Sequence, residues 1–163
     1  MGAGVELRSG SSDYYCSTGR DPWGGSTLAR LDYALLAEFA RVDHGGLLTV
    51  VGGGFTQVNV TSLPAQRQLY VAMRLLLAAN EDGAEVTFTV RPPDGRYKIN
   101  LAGAVERPVN ASAIKGEIGV MLATGVGVPL PVDGRYEVQI TVNGESSSQL
   151  PFVVHVLSTL PDA

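Results

Sequence analysis

Cysteine is almost missing from this chain of 163 residues: Cys16 stands alone. That excludes an internal disulfide and a thiolate-rich metal site. Histidine is nearly as scarce, with only His44 and His155. No long apolar run occurs. The longest, residues 69–79, is interrupted by Arg74 and falls short of the roughly 18 residues that cross a bilayer as a helix. No basic cluster occurs either. Twelve Lys and Arg residues are scattered through a chain of net charge −4, which argues against nucleic acid as a partner. Ten of those twelve are Arg, beside abundant Ala, Gly and Val, a composition that fits a GC-rich bacterial source. The N-terminus, MGAGVELRSGSS, has no basic stretch leading into an apolar core. It therefore does not read as a secretory signal, and the expectation is a cytoplasmic protein with no membrane partner.

What is there is alternation. In VDGRYEVQITVNGE (132–145), Tyr136, Val138, Ile140 and Val142 take one side, and Arg135, Glu137, Gln139 and Thr141 the other. Asp133-Gly134 opens the segment and Asn143-Gly144 closes it, the strongest short signal for a β-hairpin. Hydrophobic residues make up 45% of the chain and charged residues 17%, enough apolar material for one packed domain.

Residues 1–27 differ from the rest. They are Gly- and Ser-rich, balanced in charge and aperiodic, and read as a flexible N-terminal tail whose aromatics Tyr14, Tyr15 and Trp23 could dock on a surface. The domain is assigned to residues 28–163. Its opening stretch, 28–43, has helical spacing at Leu28, Leu31, Leu35 and Phe39. A strand with Leu31, Tyr33, Leu35, Ala37 and Phe39 on one face is preferred, because Asp43-His44-Gly45-Gly46 is a turn and LLTVV follows as its partner. Gly52, Gly53 and Gly54 are expected to bend a strand pair formed by 47–51 and 55–60. No Lys-Ser/Thr helix follows them, so they do not form a phosphate loop. Further strands are read at 69–77, 85–91, 97–101, 117–123, 135–143 and 150–157. Pro92-Pro93-Asp94-Gly95 makes a turn, and 102–116 and 124–134 are taken as loops.

Eight or so strands without a helix predict an all-β fold, an antiparallel immunoglobulin-like β-sandwich, with a small barrel as the alternative. Pro108 and Pro151 are candidates to protect its open edges. Tyr136, two residues after Gly134 at the start of a late strand, has the placement of a tyrosine corner, with its acceptor near Pro131 or Val132. Gly95 serves the equivalent Asp-Gly-Arg-Tyr turn earlier in the chain.

The segments Asp32-Tyr33-Ala34-Leu35-Leu36, Gly46-Leu47-Leu48, Val51-Gly52-Gly53-Gly54-Phe55, Pro92-Pro93-Asp94-Gly95 and Gly134-Arg135-Tyr136 resemble an uncharacterised family of small bacterial proteins. In that family a "DYA" strand leads to a "GKL…VGIF"-like segment and later to a "G-x-Y" strand. The resemblance spans roughly residues 31–157. It departs at the glycine triplet, where the family more often has a bulky residue after the first Gly. It implies a β-sandwich-like fold, and it implies no activity, cofactor or catalytic residue.

Reactive groups form no constellation. Cys16 sits in the tail, and His155 falls on the outward face of the last strand. His44 with Asp43 and Asp32 is not a ligand set, since two of the three are adjacent turn residues. Loops carrying Asp94 and Asp133 could meet at one end of a sandwich and bind calcium, but Asp-Gly is the ordinary turn pair, and the turn reading is preferred. Asn59-Val60-Thr61 and Asn110-Ala111-Ser112 match glycosylation acceptors, read as chance matches without a secretion signal. No catalytic residue, metal or cofactor is assigned. The expected role is a non-catalytic binding or protein-interaction module, meeting a protein partner or a second copy through an exposed sheet face. The outward residues Ala34, Leu36, Ala40, Val153 and Leu157 are the candidates for that face. The alternative is a small-molecule-binding protein or small enzyme with a site between loops 102–116 and 124–134, where Gly103, Gly125 and Gly127 would supply pliability.

Overall fold

The structure is a computed structural model and describes residues 28–157. The expected tail at 1–27, with Cys16, lies outside the described residues. The chain is all-β. Among the described residues ten strands appear: β1 (Arg30–Ala37), β2 (Phe39–Val42), β3 (Leu48–Val51), β4 (Gln57–Val60), β5 (Ala65–Ala78), β6 (Gly83–Arg91), β7 (Ile99–Glu106), β8 (Glu117–Leu130), β9 (Gly134–Val142) and β10 (Glu145–Val156). A three-stranded sheet runs β1-β5-β8 and a five-stranded sheet β4-β10-β9-β6-β7. All their pairs are antiparallel except β4 with β10, which run parallel.

The two sheets share one apolar core. Leu69, Val71, Met73, Leu75 and Leu77 of β5 face Val86 and Phe88 of β6 and Val138 and Ile140 of β9 across it. Alternation alone places these residues, because successive side chains of a strand leave on opposite faces. Each such side chain fully buried contributes about 1.5–3 kcal/mol.

The strand at 31–41 forms, with two departures that change its faces. A β-bulge shifts the register between Leu31 and Tyr33. One extra residue moves every later side chain to the other side. Leu31, Ala34 and Leu36 therefore join the main core, while Leu35 and Ala37 face away from it. The expected common face of Leu31, Tyr33, Leu35, Ala37 and Phe39 is split in this way. The strand then breaks at Glu38, and β2 pairs with β3 in a separate two-stranded sheet.

That hairpin packs on the outer side of β5 and β8 as a third layer. Ala37, Ala40 and Ala72 are buried beneath it, with Leu48, Val50, Tyr70 and Ala123 packed around them. Leu36 and Ala40, expected to point outward, are 3% and 4% exposed. β1 and β10 also lie in different sheets, so Leu36 and Ala40 do not share one exposed sheet face with Val153 and Leu157.

The glycine triplet makes this layer change. The expected pair of 47–51 with 55–60 is absent, because β3 pairs with β2 and β4 pairs with β10. Gly52 and Gly54 take φ values of 60° and 80°, a left-handed backbone that other residues adopt only with strain. The Gly54 N–H donates to Leu36 O at 2.7 Å, tying the turn to β1.

The β9–β10 hairpin closes at Asn143 and Gly144, both at positive φ (50° and 80°), the geometry of a type I′ turn. At the far end of β9, the Asp-Gly turns converge. A Cβ on Gly134, whose φ is 119°, would stand 3.2 Å from Pro93 Cγ. The Gly95 N–H donates to Pro92 O at 3.3 Å, and its φ is 68°. The Tyr136 ring is fully buried, stacked on Phe152 at 5.3 Å, and its hydroxyl donates to Val132 O at 2.7 Å. Nearby, the Tyr97 hydroxyl donates to Pro129 O. Burial is the main force that pushes the Tyr97 phenol up to about 12, helped by Tyr136 and Asp94. Burial likewise raises Tyr136, and the charges of Asp94 and Asp133 act in the same direction.

Two predictions follow from this tyrosine end. Tyr136→Phe keeps the ring and removes the bond to Val132, so urea denaturation should show a loss of about 1–2 kcal/mol. Both phenols are held neutral in the folded state above their ordinary pKa of about 10. The unfolded chain therefore releases their protons first, and stability is full below about pH 10 and falls as pH rises toward 12. Denaturation midpoints measured across that window should decline, and the decline should flatten in Tyr97→Phe.

Candidate interaction groove

Of the segments read as loops, 124–134 is mostly strand, whereas 102–116 is strand only at its start and a loop from 107 onward. β7 continues to Glu106 and β8 to Leu130. The reason is visible at β8, where Val126, Val128 and Leu130 are buried and alternate with Gly125, Gly127 and Pro129. Glycine serves close approach here. A Cβ on Gly125 would lie 2.9 Å from Tyr70 Cε1 and 2.8 Å from Gln68 Nε2. The Tyr70 side chain, in edge contact with Phe39 of the hairpin at 5.3 Å, occupies the space above Gly125. Gly119 does the same for Arg74, whose Nη2 would be 2.7 Å from a Cβ there. Arg74 Nη1 reaches Asp32 at 3.4 Å.

These two strands lie at sheet margins. Among the described residues β7 pairs only with β6, and β8 only with β5. Between them the sandwich opens into a groove of about 200 Å³. Val86 and Phe88 form part of its lining, Leu101, Gly103 and Val105 contribute from β7, and Leu122 and Thr124 from β8. Gly103 pairs with Val86 and Leu101 with Phe88, so both belong to the core-facing row of β7. Nothing lies within 4 Å of where a Cβ on Gly103 would sit. Ala102, Gly103 and Ala104 are all exposed. The sequence signal that could have found this site is the alternation Ile99, Leu101, Gly103, Val105, which continues past the point where a loop was read.

The edges differ in protection. The five-stranded sheet's other margin is β4, which covers β10 only from Val153 to Val156. Pro151 sits in the uncovered part of β10, and Pro129 in β8; neither can donate a backbone N–H. β7 contains no proline, lysine or arginine.

The remaining candidate residues are placed elsewhere. His155 is exposed on the outer face of β10, opposite Asn59 of β4. His44 is exposed in the β2–β3 turn, where Asp43 Oδ1 accepts the Gly45 and Leu47 N–H groups, each at 2.9 Å. With Asp32 paired to Arg74, the two carboxylates serve different structural bonds. The Asp94 and Asp133 turns meet at the Tyr136 end, where both carboxylates act on that phenol. Asp94 caps its own turn through the Arg96 N–H at 3.1 Å and pairs with Arg96 Nε at 3.0 Å. Among the described residues no three His, Cys, Asp or Glu side chains converge as a metal-binding group.

A family model matches residues 32–155. The chain belongs to DUF6941, a family of unknown function. The resemblance read from its "DYA" and "G-x-Y" segments thus leads to an uncharacterised family. No curated protein matches this DUF6941 chain. Among solved structures, the Pseudomonas fluorescens alkylpurine DNA glycosylase AlkC, bound to DNA containing an abasic site analog, is 10% identical with a TM-score of 0.42. That match covers 80% of this chain and 31% of the glycosylase. At such a score it carries no argument about fold or ligand.

In this DUF6941 member, the strand reading of 124–130 is testable. Gly125→Ala should cost about 1–3 kcal/mol in urea denaturation, because the added methyl overpacks against Tyr70. A pliable loop at this position would tolerate the change.

Proposed function

We propose that the protein is a non-catalytic protein-interaction module that receives an extended polypeptide segment at the open margin between β7 and β8. The observation that supports it is the pairing of an unguarded strand edge with an apolar groove. A strand at a sheet margin presents unpaired backbone N–H and C=O groups, which recruit a further strand. The groove beside it takes alternate side chains of that segment, which gives the recognition its selectivity. Small side chains at Ala102, Gly103 and Ala104 let the arriving backbone come close.

The same groove bears on a second reading, a small-molecule or enzyme site between residues 102–116 and 124–134, since the lining draws on both segments. Its size disfavours that reading. Metabolite pockets commonly span about 300–1,000 Å³, and this groove of about 200 Å³ suits one or two side chains.

A photo-crosslinking residue placed at Ala102 tests the proposal, with the same residue at Gln139, on the same face of the five-stranded sheet but on central strand β9 away from the margin, as control. In cells that naturally make the protein, irradiation should give a discrete protein adduct from position 102 and none from 139. Equal labelling at both positions, or no protein adduct at 102, would reject it.

A further inference from the structure

Resting on the reading above, we infer that the segment received at β7 is the β7 strand of a second copy of this chain, paired antiparallel about a two-fold axis at Ala102. The inference comes from the self-complementarity of the strand. With Ala102 opposite its own equivalent, Leu101 faces Gly103, Asn100 faces Ala104, Ile99 faces Val105, and Lys98 faces Glu106.

Three of these four pairings are favourable, each for a separate reason. Leu101 and Gly103 both lie in the core-facing row, so the leucine of one copy stands beside the open space above the glycine of the other. Ile99 and Val105 belong to the same row and make an apolar cross-strand pair twice over. Lys98 and Glu106 fall in the opposite row, on the solvent side. Both are exposed, and neither has a charge partner among the described residues of its own chain. The two-fold axis supplies one to each. A register centred one residue later, at Gly103, would instead put Pro108 opposite Lys98 and Arg107 opposite Ile99, leaving Lys98 without its acidic partner. The charge pattern therefore selects Ala102 as the centre. Symmetric pairing of this kind closes on itself, as a two-fold interface must. It merges two five-stranded sheets into one continuous sheet and removes the unguarded edge from solvent.

Sedimentation velocity across a concentration series tests the inference on the full chain. The parent protein should dimerise. Lys98→Glu and Glu106→Lys each replace two attractive cross-strand pairs with two repulsive ones, so each should weaken the dimer about tenfold. The double swap Lys98→Glu/Glu106→Lys should restore parental affinity. Gly103→Lys should abolish the dimer, because it buries a charge at the interface. In the monomer the same site is open, so that variant should keep its circular dichroism spectrum and urea midpoint. A parent that is monomeric throughout, or a dimer indifferent to both the charge swaps and Gly103→Lys, overturns the inference. In either case a crosslink from Ala102 to some other protein would leave the interaction-module reading standing, and its absence would remove both.

Discussion

Every layer of this molecule rests on β5, a strand buried on both faces. Its Met73 side chain is fully enclosed in the core between the two sheets, and its neighbour Ala72 is equally enclosed beneath the β2–β3 hairpin. A strand with one wet face tolerates loose cover there. This one does not, because the row Tyr70, Ala72 and Arg74 must be matched by something. The outward glycines of β8 and the alanines of the hairpin supply that match, letting backbones and long side chains approach where bulkier residues would collide.

Cover for β5 and cover for the sandwich edges compete for the same short chain. The hairpin that could have paired with a margin is instead laid over a face. β10 gains β4 along its last residues only. Among the described residues the margins at β7 and β8 stay unpaired, and the space between them reaches Val86 and Phe88 of the core. Proline limits what can pair with β8 and β10, whereas β7 carries no such guard. An open, unguarded edge beside exposed core is a liability in a monomer and a recognition element when something occupies it. That contrast, more than any reactive group, is why an interaction role is the better reading of this protein.

Much of the fold was legible because it is written in period two. The strands at 85–91, 135–143 and 150–157 were readable from alternation, and the Asn143-Gly144 hairpin from the one dipeptide suited to two successive positive φ values. The strand choice for 31–41 also came from context, against a helical spacing of leucines. What misled was glycine. In the run Gly125-Val126-Gly127-Val128, flexibility was read where the structure uses glycine for contact with Tyr70 and Gln68. The groove was lost with it, since Ala102 to Val105 of its β7 wall and Thr124 of β8 fell in segments taken for loops. The inward row Leu101, Gly103 and Val105 carried the corrective signal, but a glycine interrupts it.

Local sequence by itself determined the strands, the hairpin turns and the side of each strand that avoids water, because alternation and turn chemistry act between near neighbours. Tertiary structure alone decided which strands became edges, where the β1 bulge reversed the faces, and why β2 and β3 form a separate layer. Those outcomes depend on contacts between residues far apart in the chain, such as Tyr70 with Gly125 and Ala72 with Ala40. No local pattern records which distant surface will arrive to cover a given face.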